Sequence, residues 1–174
     1  MNKINYTDNF KKIITFYLFE CPVEDVSKRG KTFKQIGWKG SSRLRMLERL
    51  LKNCTSINEE NWIICDKSEV ENKLNNVNGL YYIVCSKSKS GIKSIIYAIR
   101  NSFAHGSFEV KNIDGYNIYY LENHHKGHLC AKIVIEEDSL LEWIRIIKTN
   151  PEYLTKKAKY KKEKEKRIKN KQTK

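Results

Sequence analysis

The sequence predicts a mainly α-helical protein, a helical bundle with a small antiparallel β hairpin or sheet inserted before its last core helix. Apolar residues recur at helical spacing in several segments of the chain, which is the main signal of amphipathic helices. Two turn signals, Asp114-Gly115 and Lys126-Gly127, separate short runs rich in β-branched and aromatic residues. The length of 174 residues, 40% of them hydrophobic, suits one domain with a core of its own.

The first helix is predicted from an apolar stripe over residues 10–21, where apolar side chains recur three and four positions apart. Thr7 or Asp8 can cap its start. Pro22 ends it, because proline disfavours the helical conformation in the residue before it. Residues 23–40 contain three glycines and predict a loop with one short turn.

The second helix is predicted over the stretch "SSRLRMLERLLKN", where Ser41 or Ser42 can cap the start. Its apolar face consists of Leu44, Leu47, Leu50 and Leu51. A short helical turn is expected at residues 62–65. Residues 68–84 also keep roughly helical spacing, although Gly79 and the β-favouring "YYIV" weaken that prediction.

A clearer helix follows in the stretch "SGIKSIIYAIRNSFAHG". Its apolar stripe runs from Ile92 to Phe103, and Ser90 can cap its start. Gly106 suits the C-terminal cap, because a residue in the left-handed region commonly ends a helix and glycine adopts that conformation without strain. The predicted helix therefore ends immediately after His105.

The pattern then changes to β-prone runs, "SFEVKNIDGYNIYYLEN" and "HLCAKIVIEE", which predict a small antiparallel hairpin or a three-stranded sheet. A final helix is predicted over "DSLLEWIRIIKTN", with Asp138 or Ser139 as its cap and Pro151 closing it. The architecture expected from these elements is a helical bundle with a β insertion before the last helix.

The chain is strongly basic, with a formal net charge of +14. Residues 156–174 contain eleven Lys or Arg and two Glu, so they carry +9 and residues 1–155 carry +5. We predict a single domain over residues 1–155 and a basic tail, flexible or transiently helical, over residues 156–174. Such a tail attracts RNA, and RNA is favoured over a membrane because only Tyr160 and Ile168 could insert into lipid. The candidate RNA-binding residues of the tail are Lys156, Lys157, Lys159, Lys161, Lys162 and Arg167.

The cysteine pattern predicts a reducing compartment. The five cysteines are Cys21, Cys54, Cys65, Cys85 and Cys130. They are widely spaced and include no C-x-x-C, so we expect small core residues rather than a disulfide framework or a nucleophile. The apolar run near the N-terminus is short and has Glu20 before Cys21, which predicts a helix rather than a signal peptide. We therefore expect a cytoplasmic protein with no membrane partner.

The stretch "IRNSFAHGSFE" places Arg100, Asn101 and His105 at the end of the apolar helix. A guanidinium suits phosphate oxygens, an imidazole can take or give a proton near neutral pH, and an amide can orient either one. No carboxylate cluster is nearby in the sequence to bind a divalent metal, so RNA would have to be cut through its own 2′-OH. The alternative is a simple helix cap, because cationic side chains also complement the C-terminal end of the helix dipole.

The segment "RNSFAHG" resembles the R-N-x-x-A-H-G form of the R-x4–6-H motif of the HEPN superfamily. The match extends beyond the arginine and histidine, since Asn101, Ala104 and Gly106 also fit. The later stretch "AKIVIEEDSLLEWI" is similar to one group of bacterial members, so the resemblance covers about residues 80–150. It implies a HEPN-like helical bundle over residues 1–155.

Members of that superfamily are often metal-independent endoribonucleases whose arginine and histidine meet those of a second subunit. The resemblance implies that His105 is a general base or acid for 2′-OH attack, leaving a 2′,3′-cyclic phosphate. Arg100 would bind the scissile phosphate, Asn101 would assist, and two chains would form a composite site in a homodimer. HEPN toxins controlled by a nucleotidyltransferase carry a tyrosine where this chain has Ser107, which argues against that form of control.

The resemblance further implies a toxin or antiviral defence effector that cuts single-stranded RNA, with a possible antitoxin or regulatory partner. The alternative is a non-catalytic HEPN module that binds RNA or a nucleotide, or that dimerises.

A second cluster, "HHKGHLC", gathers His124, His125, His128 and Cys130. It can be read as a metal site, as solvated turn residues or as auxiliary RNA contacts. Since no second ligand cluster would complete a tetrahedral site, the sequence predicts no metal and no cofactor.

Overall fold

The computed structural model describes residues 7–23, 31–89 and 91–155, and its central element is a five-stranded mixed β-sheet. The helices are α1 (Asp8–Thr15), α2 (Ser41–Lys52), α3 (Val70–Leu74), α4 (Ile92–Ala104) and α5 (Glu137–Lys148). The strands are β1 (Trp62–Cys65), β2 (Tyr82–Ser86), β3 (Phe108–Ile113), β4 (Tyr116–His125) and β5 (His128–Glu136). A π-helical turn, Phe16–Glu20, extends α1.

The predicted mainly α-helical bundle is wrong, because the five-stranded sheet makes this an α/β fold. The helical bundle implied by the resemblance is therefore not the architecture of this chain. The predicted helical turn at residues 62–65 is strand β1, whose four apolar residues fit a buried strand and a piece of helix equally well by periodicity. Of residues 68–84, only a short part forms helix α3, and the "YIVCS" that follows is strand β2.

The strand order is β1-β2-β5-β4-β3. The first two strands run parallel, with Trp62 beside Ile83, and α3 lies in the connection between them. The other three pairings are antiparallel. Both predicted turns are confirmed as two-residue hairpin loops. Asp114 and Gly115 have φ of 51° and 90°, and Lys126 and Gly127 have φ of 51° and 76°. Positive φ at both central residues is the pattern of type I′ turns.

The core lies mainly on one face of the sheet. Helices α1, α2, α4 and α5 share one hydrophobic cluster with the inward side chains of the strands, such as Ile83 and Cys85. Helix α3 covers part of the opposite face, where Val70 packs with Val84 and Cys65. Consecutive residues of β2 thus point into two different clusters, which is why its sequence shows no polar alternation.

Several polar groups inside this core are hydrogen-bonded. Trp143 Nε1 donates to the carbonyl of Leu51 at 3.1 Å, which ties α5 to the end of α2. The carboxylate of Glu137, buried at the start of α5, accepts from Asn9 at 3.0 Å and from the Tyr119 hydroxyl at 3.0 Å. The same hydrogen bond and burial raise the pKa of Tyr119 above its ordinary value, burial being the larger cause. This network joins α1, β4 and α5.

Helix starts were predicted less well than helix positions. The cap of α1 is confirmed, since Thr7 Oγ1 accepts from the backbone N–H of Phe10 at 3.1 Å. Helix α2 instead begins after Gly40 and α5 after Glu136, and neither has a side-chain cap hydrogen bond.

The predicted cap of α4, Ser90, lies outside the described residues, as do the candidate RNA-binding residues of the tail. Every helix in the described ranges is too short or too polar to cross a membrane.

Candidate functional site

A cleft of about 490 Å³ lies at one end of the sheet, between helix α4 and the ends of strands β2, β4 and β5. Its volume falls in the range of roughly 300–1,000 Å³ that is usual for small-molecule sites. The lining residues are Lys67, Cys85, Ser86, Lys87, Ser88, Ser94, Tyr97, Ala98, Arg100, Asn101, His105, Asn123, His124, His125 and Cys130. All three residues that the sequence predicted as catalytic are therefore in one cavity.

The end of helix α4 positions His105. The helix finishes in a Schellman motif, in which the Ser107 N–H donates to the Ser102 carbonyl at 2.9 Å and the Gly106 N–H donates to the Phe103 carbonyl at 3.2 Å. Gly106 takes φ of +67°, as the predicted C-terminal cap requires. The chain therefore turns sharply just after His105, which leaves its exposed side chain at the mouth of the cleft.

Arg100 and Asn101 lie one turn earlier on α4. Arg100 Nη1 donates a hydrogen bond to Asn101 Oδ1 at 3.1 Å, and Asn101 is 9% exposed. The amide thus holds the guanidinium from within the protein while the guanidinium still lines the cleft. Because Arg100 keeps its charge at any physiological pH, this pair presents a fixed cation to a bound ligand.

The cleft is cationic. Lys67, Lys87 and Arg100 contribute three cationic side chains, and His105, His124 and His125 add three imidazoles. Lys67 and Lys87 follow the carboxyl ends of the two parallel strands, so the fold brings them to the same edge of the sheet. Within the described ranges no carboxylate is among the lining residues. Such a charge distribution favours an anionic ligand, and it disfavours a bare divalent cation.

The tip of the β4–β5 hairpin forms the wall opposite α4. The register between the two strands shifts between Asn123 and His124, which marks a β-bulge. His124 Nε2 lies 3.1 Å from Glu122 Oε2, and the other oxygen of that carboxylate accepts from Lys132 Nζ at 2.9 Å. The hydrogen bonds from Lys132 and from His124, in that order, hold the pKa of Glu122 below its ordinary value, so the carboxylate stays ionised at neutral pH.

The histidine cluster of the sequence is divided by the structure. His124 and His125 line the cleft, whereas His128 lines an adjoining surface depression, which shares Lys67 with the cleft and also includes Glu71. Among the described residues, no group of three or more His, Cys, Asp or Glu side chains is placed to hold a metal ion. Of the three interpretations that the sequence left open for this cluster, contact with a ligand in the cleft fits the positions of His124 and His125.

Several lining residues were not predicted from the sequence. Lys67 and Lys87 were missed because β1 and β2 were missed, and a correct strand prediction would have placed both at one sheet edge. Asn123 is 8% exposed and gave no signal of its own. Cys85 also lines the cleft, but burial raises the pKa of its thiol to about 12, so it is a poor nucleophile near neutral pH.

No protein-family model, no curated protein and no solved structure matches this chain.

Proposed function

We propose that this chain is a metal-independent endoribonuclease that cleaves single-stranded RNA in the cleft between α4 and the sheet. The observation that carries the proposal is that Arg100, Asn101 and His105 line one cationic cavity. These are the side chains that the RNxxAHG resemblance assigns to the reaction. The proposal takes from the resemblance the local motif and its chemistry, and it does not depend on the helical-bundle architecture.

The reaction needs three actions, and the site offers a group for each. A base must take the proton from the 2′-OH, and His105 is an exposed imidazole at the cleft mouth. Charge that develops on the phosphate oxygens must be stabilised, and Arg100 is a cation held in place by Asn101. The attacking 2′-oxygen then displaces the 5′-oxygen, which yields a 2′,3′-cyclic phosphate and a 5′-OH end.

The homodimer with a composite site, the role as toxin or antiviral effector, and the antitoxin or regulatory partner stay predictions of the resemblance. A mixing experiment tests the composite site. If two chains share one site, a mixture of Arg100→Ala and His105→Ala proteins regains cleavage after subunit exchange. If each site is complete within one chain, the mixture stays as inactive as either variant.

A second candidate function is a non-catalytic module that binds RNA or a nucleotide. The volume of the cleft and its three cationic side chains favour it, because Lys67, Lys87 and Arg100 suffice to bind phosphate groups without any proton transfer. The two functions differ in what they require of His105. A binding module has no use for a titratable base at that position, whereas the nuclease loses its reaction without it.

The test uses the full-length protein and a labelled single-stranded RNA, with DNA of the same sequence as a control that lacks the 2′-OH. We expect cleavage that survives EDTA, products ending in a 2′,3′-cyclic phosphate, and no cleavage of the DNA. His105→Ala should lose about 10²–10⁴-fold in rate, as removal of a general base does. His128→Ala, outside the cleft, is the matched control and should cleave at the normal rate. RNA binding without cleavage by the unaltered protein would establish the binding module instead.

A further inference from the structure

We propose that His124 is the general acid of the same reaction, so that one chain supplies both proton-transfer groups. This inference rests on the proposed function. Cleavage of a phosphodiester by its 2′-OH needs two proton transfers, because the 2′-oxygen must lose a proton and the leaving 5′-oxygen must gain one. The resemblance assigns only one histidine per chain, whereas the cleft of this chain brings a second imidazole to the phosphate site.

The first observation is the β-bulge. Consecutive residues of a regular strand point to opposite faces of the sheet, so neighbouring side chains do not line the same cavity. Here Asn123, His124 and His125 all line the cleft. Opposite them the register passes over Cys130 of β5, because Asn123 pairs with Ala131 and His124 pairs with Leu129. Such a bulge bends and twists a hairpin, and the resulting tip places His124 in the same cavity as His105.

The second observation is the partner of His124. Its Nε2 atom lies 3.1 Å from the carboxylate of Glu122, and Lys132 binds the other oxygen of that carboxylate at 2.9 Å. A carboxylate that accepts a hydrogen bond from one imidazole nitrogen fixes the orientation of the ring. The other ring nitrogen, Nδ1, is then the atom that can give a proton to the leaving oxygen. Lys132 holds Glu122 without lining the cleft itself, so Glu122 is a positioning residue.

The proton inventory of the step balances. His105 takes the 2′-OH proton as the 2′-oxygen forms its bond to phosphorus. The bond between phosphorus and the 5′-oxygen breaks, and His124 gives its proton to that oxygen. His105 ends protonated and His124 ends neutral, and exchange with water restores both. Arg100 compensates the charge on the non-bridging oxygens throughout.

The test compares two substrates that differ in the leaving group. One is a single-stranded RNA, whose 5′-oxygen is a poor leaving group. The other is a uridine 3′-(4-nitrophenyl phosphate), whose nitrophenolate leaves without being protonated. We expect His124→Ala to lose about 10²–10⁴-fold in rate on the RNA and less than about tenfold on the aryl ester. His105→Ala should lose activity on both substrates, because both need the 2′-OH proton removed.

Glu122→Gln is the second variant and removes the charge while leaving the shape of the side chain. It should show the same bias as His124→Ala, a larger loss on RNA than on the aryl ester, which a purely structural role would not produce. Equal losses on both substrates for His124→Ala, or no loss on either, would overturn the inference.

The outcomes also separate this inference from the proposed function. If His105→Ala is inactive and His124→Ala is normal on both substrates, the nuclease stands and the general-acid role of His124 fails. If the unaltered protein cleaves neither substrate, both fail. His124 is half-exposed at a strand end, and a thermal unfolding curve of each variant checks that it is folded before the rates are compared.

Discussion

Replacing Gly106 by alanine tests whether the end of α4 sets the position of His105. Gly106 has φ of +67°, and a Cβ atom placed there meets nothing within 4 Å. The substitution therefore adds no clash, and its whole cost is the left-handed conformation of a non-glycine residue, about 1–2 kcal/mol. For a chain of this size, a loss of 1 kcal/mol lowers the melting temperature by about 2–4 °C, so we expect a fall of about 2–8 °C.

Gly115 provides a matched control. It has φ of +90°, and a Cβ placed there also meets nothing within 4 Å, but it lies in the turn between β3 and β4 and does not line the cleft. Gly115→Ala should therefore lose a similar amount of stability and keep its cleavage rate. Gly106→Ala should lose stability and in addition about 10–100-fold in cleavage rate, because a small displacement of a reacting group is costly.

The assays are differential scanning fluorimetry for the melting temperature and gel electrophoresis of labelled RNA for the rate, both on the full-length variants. If both glycine variants lose the same stability and cleave equally well, the Schellman motif does not position His105 for the reaction. If Gly106→Ala melts at the temperature of the unaltered protein, the strain argument itself is refuted.

Two further predictions concern carboxylates. Glu137→Ala removes the acceptor of the part-buried Asn9 hydrogen bond and of the buried Tyr119 hydrogen bond, so it should lower the free energy of unfolding by about 1–3 kcal/mol, measured by urea denaturation. Glu137→Gln should lose less, and equal stability of all three proteins would contradict the network. Glu122 has a lowered pKa in the folded state, so the unfolded chain binds its proton more readily and stability rises with pH. Its contribution is present above the ordinary carboxyl pKa and is lost as pH falls through the lowered one. The melting temperature of Glu122→Gln should therefore approach that of the unaltered protein below about pH 4, and a constant gap down to pH 2 would refute the assignment.

The parts of the fold that the sequence predicted are those determined by neighbouring residues. The loops Asp114-Gly115 and Lys126-Gly127 form type I′ turns, and each has at its second position a glycine that adopts positive φ without strain. Gly106 ends α4 for the same local reason. Strand β1 could not be predicted this way, because Trp62 becomes a strand residue by pairing with Ile83, which is distant in sequence.

The residues of the candidate site also differ in whether neighbouring residues alone could group them. Arg100, Asn101 and His105 belong to one helix end, so their spacing in the sequence already groups them. His124 joins them only because the β4–β5 hairpin packs against α4 and because a bulge redirects its tip. The sequence shows a histidine-rich turn, but nothing in the residues around this turn indicates which helix it packs against.

The position of β5 in the sheet makes the assembly of this protein depend on its last strand. In the order β1-β2-β5-β4-β3, the strand made last lies between β2 and β4 and pairs with both. A chain that has been synthesised only as far as residue 127 lacks the strand that joins the β1-β2 pair to the β3-β4 pair. Asn123 and His124 then lack their pairing with Ala131 and Leu129, and the cleft lacks Cys130. During translation, the complete cleft would therefore form only after β5 has been added to the middle of the sheet.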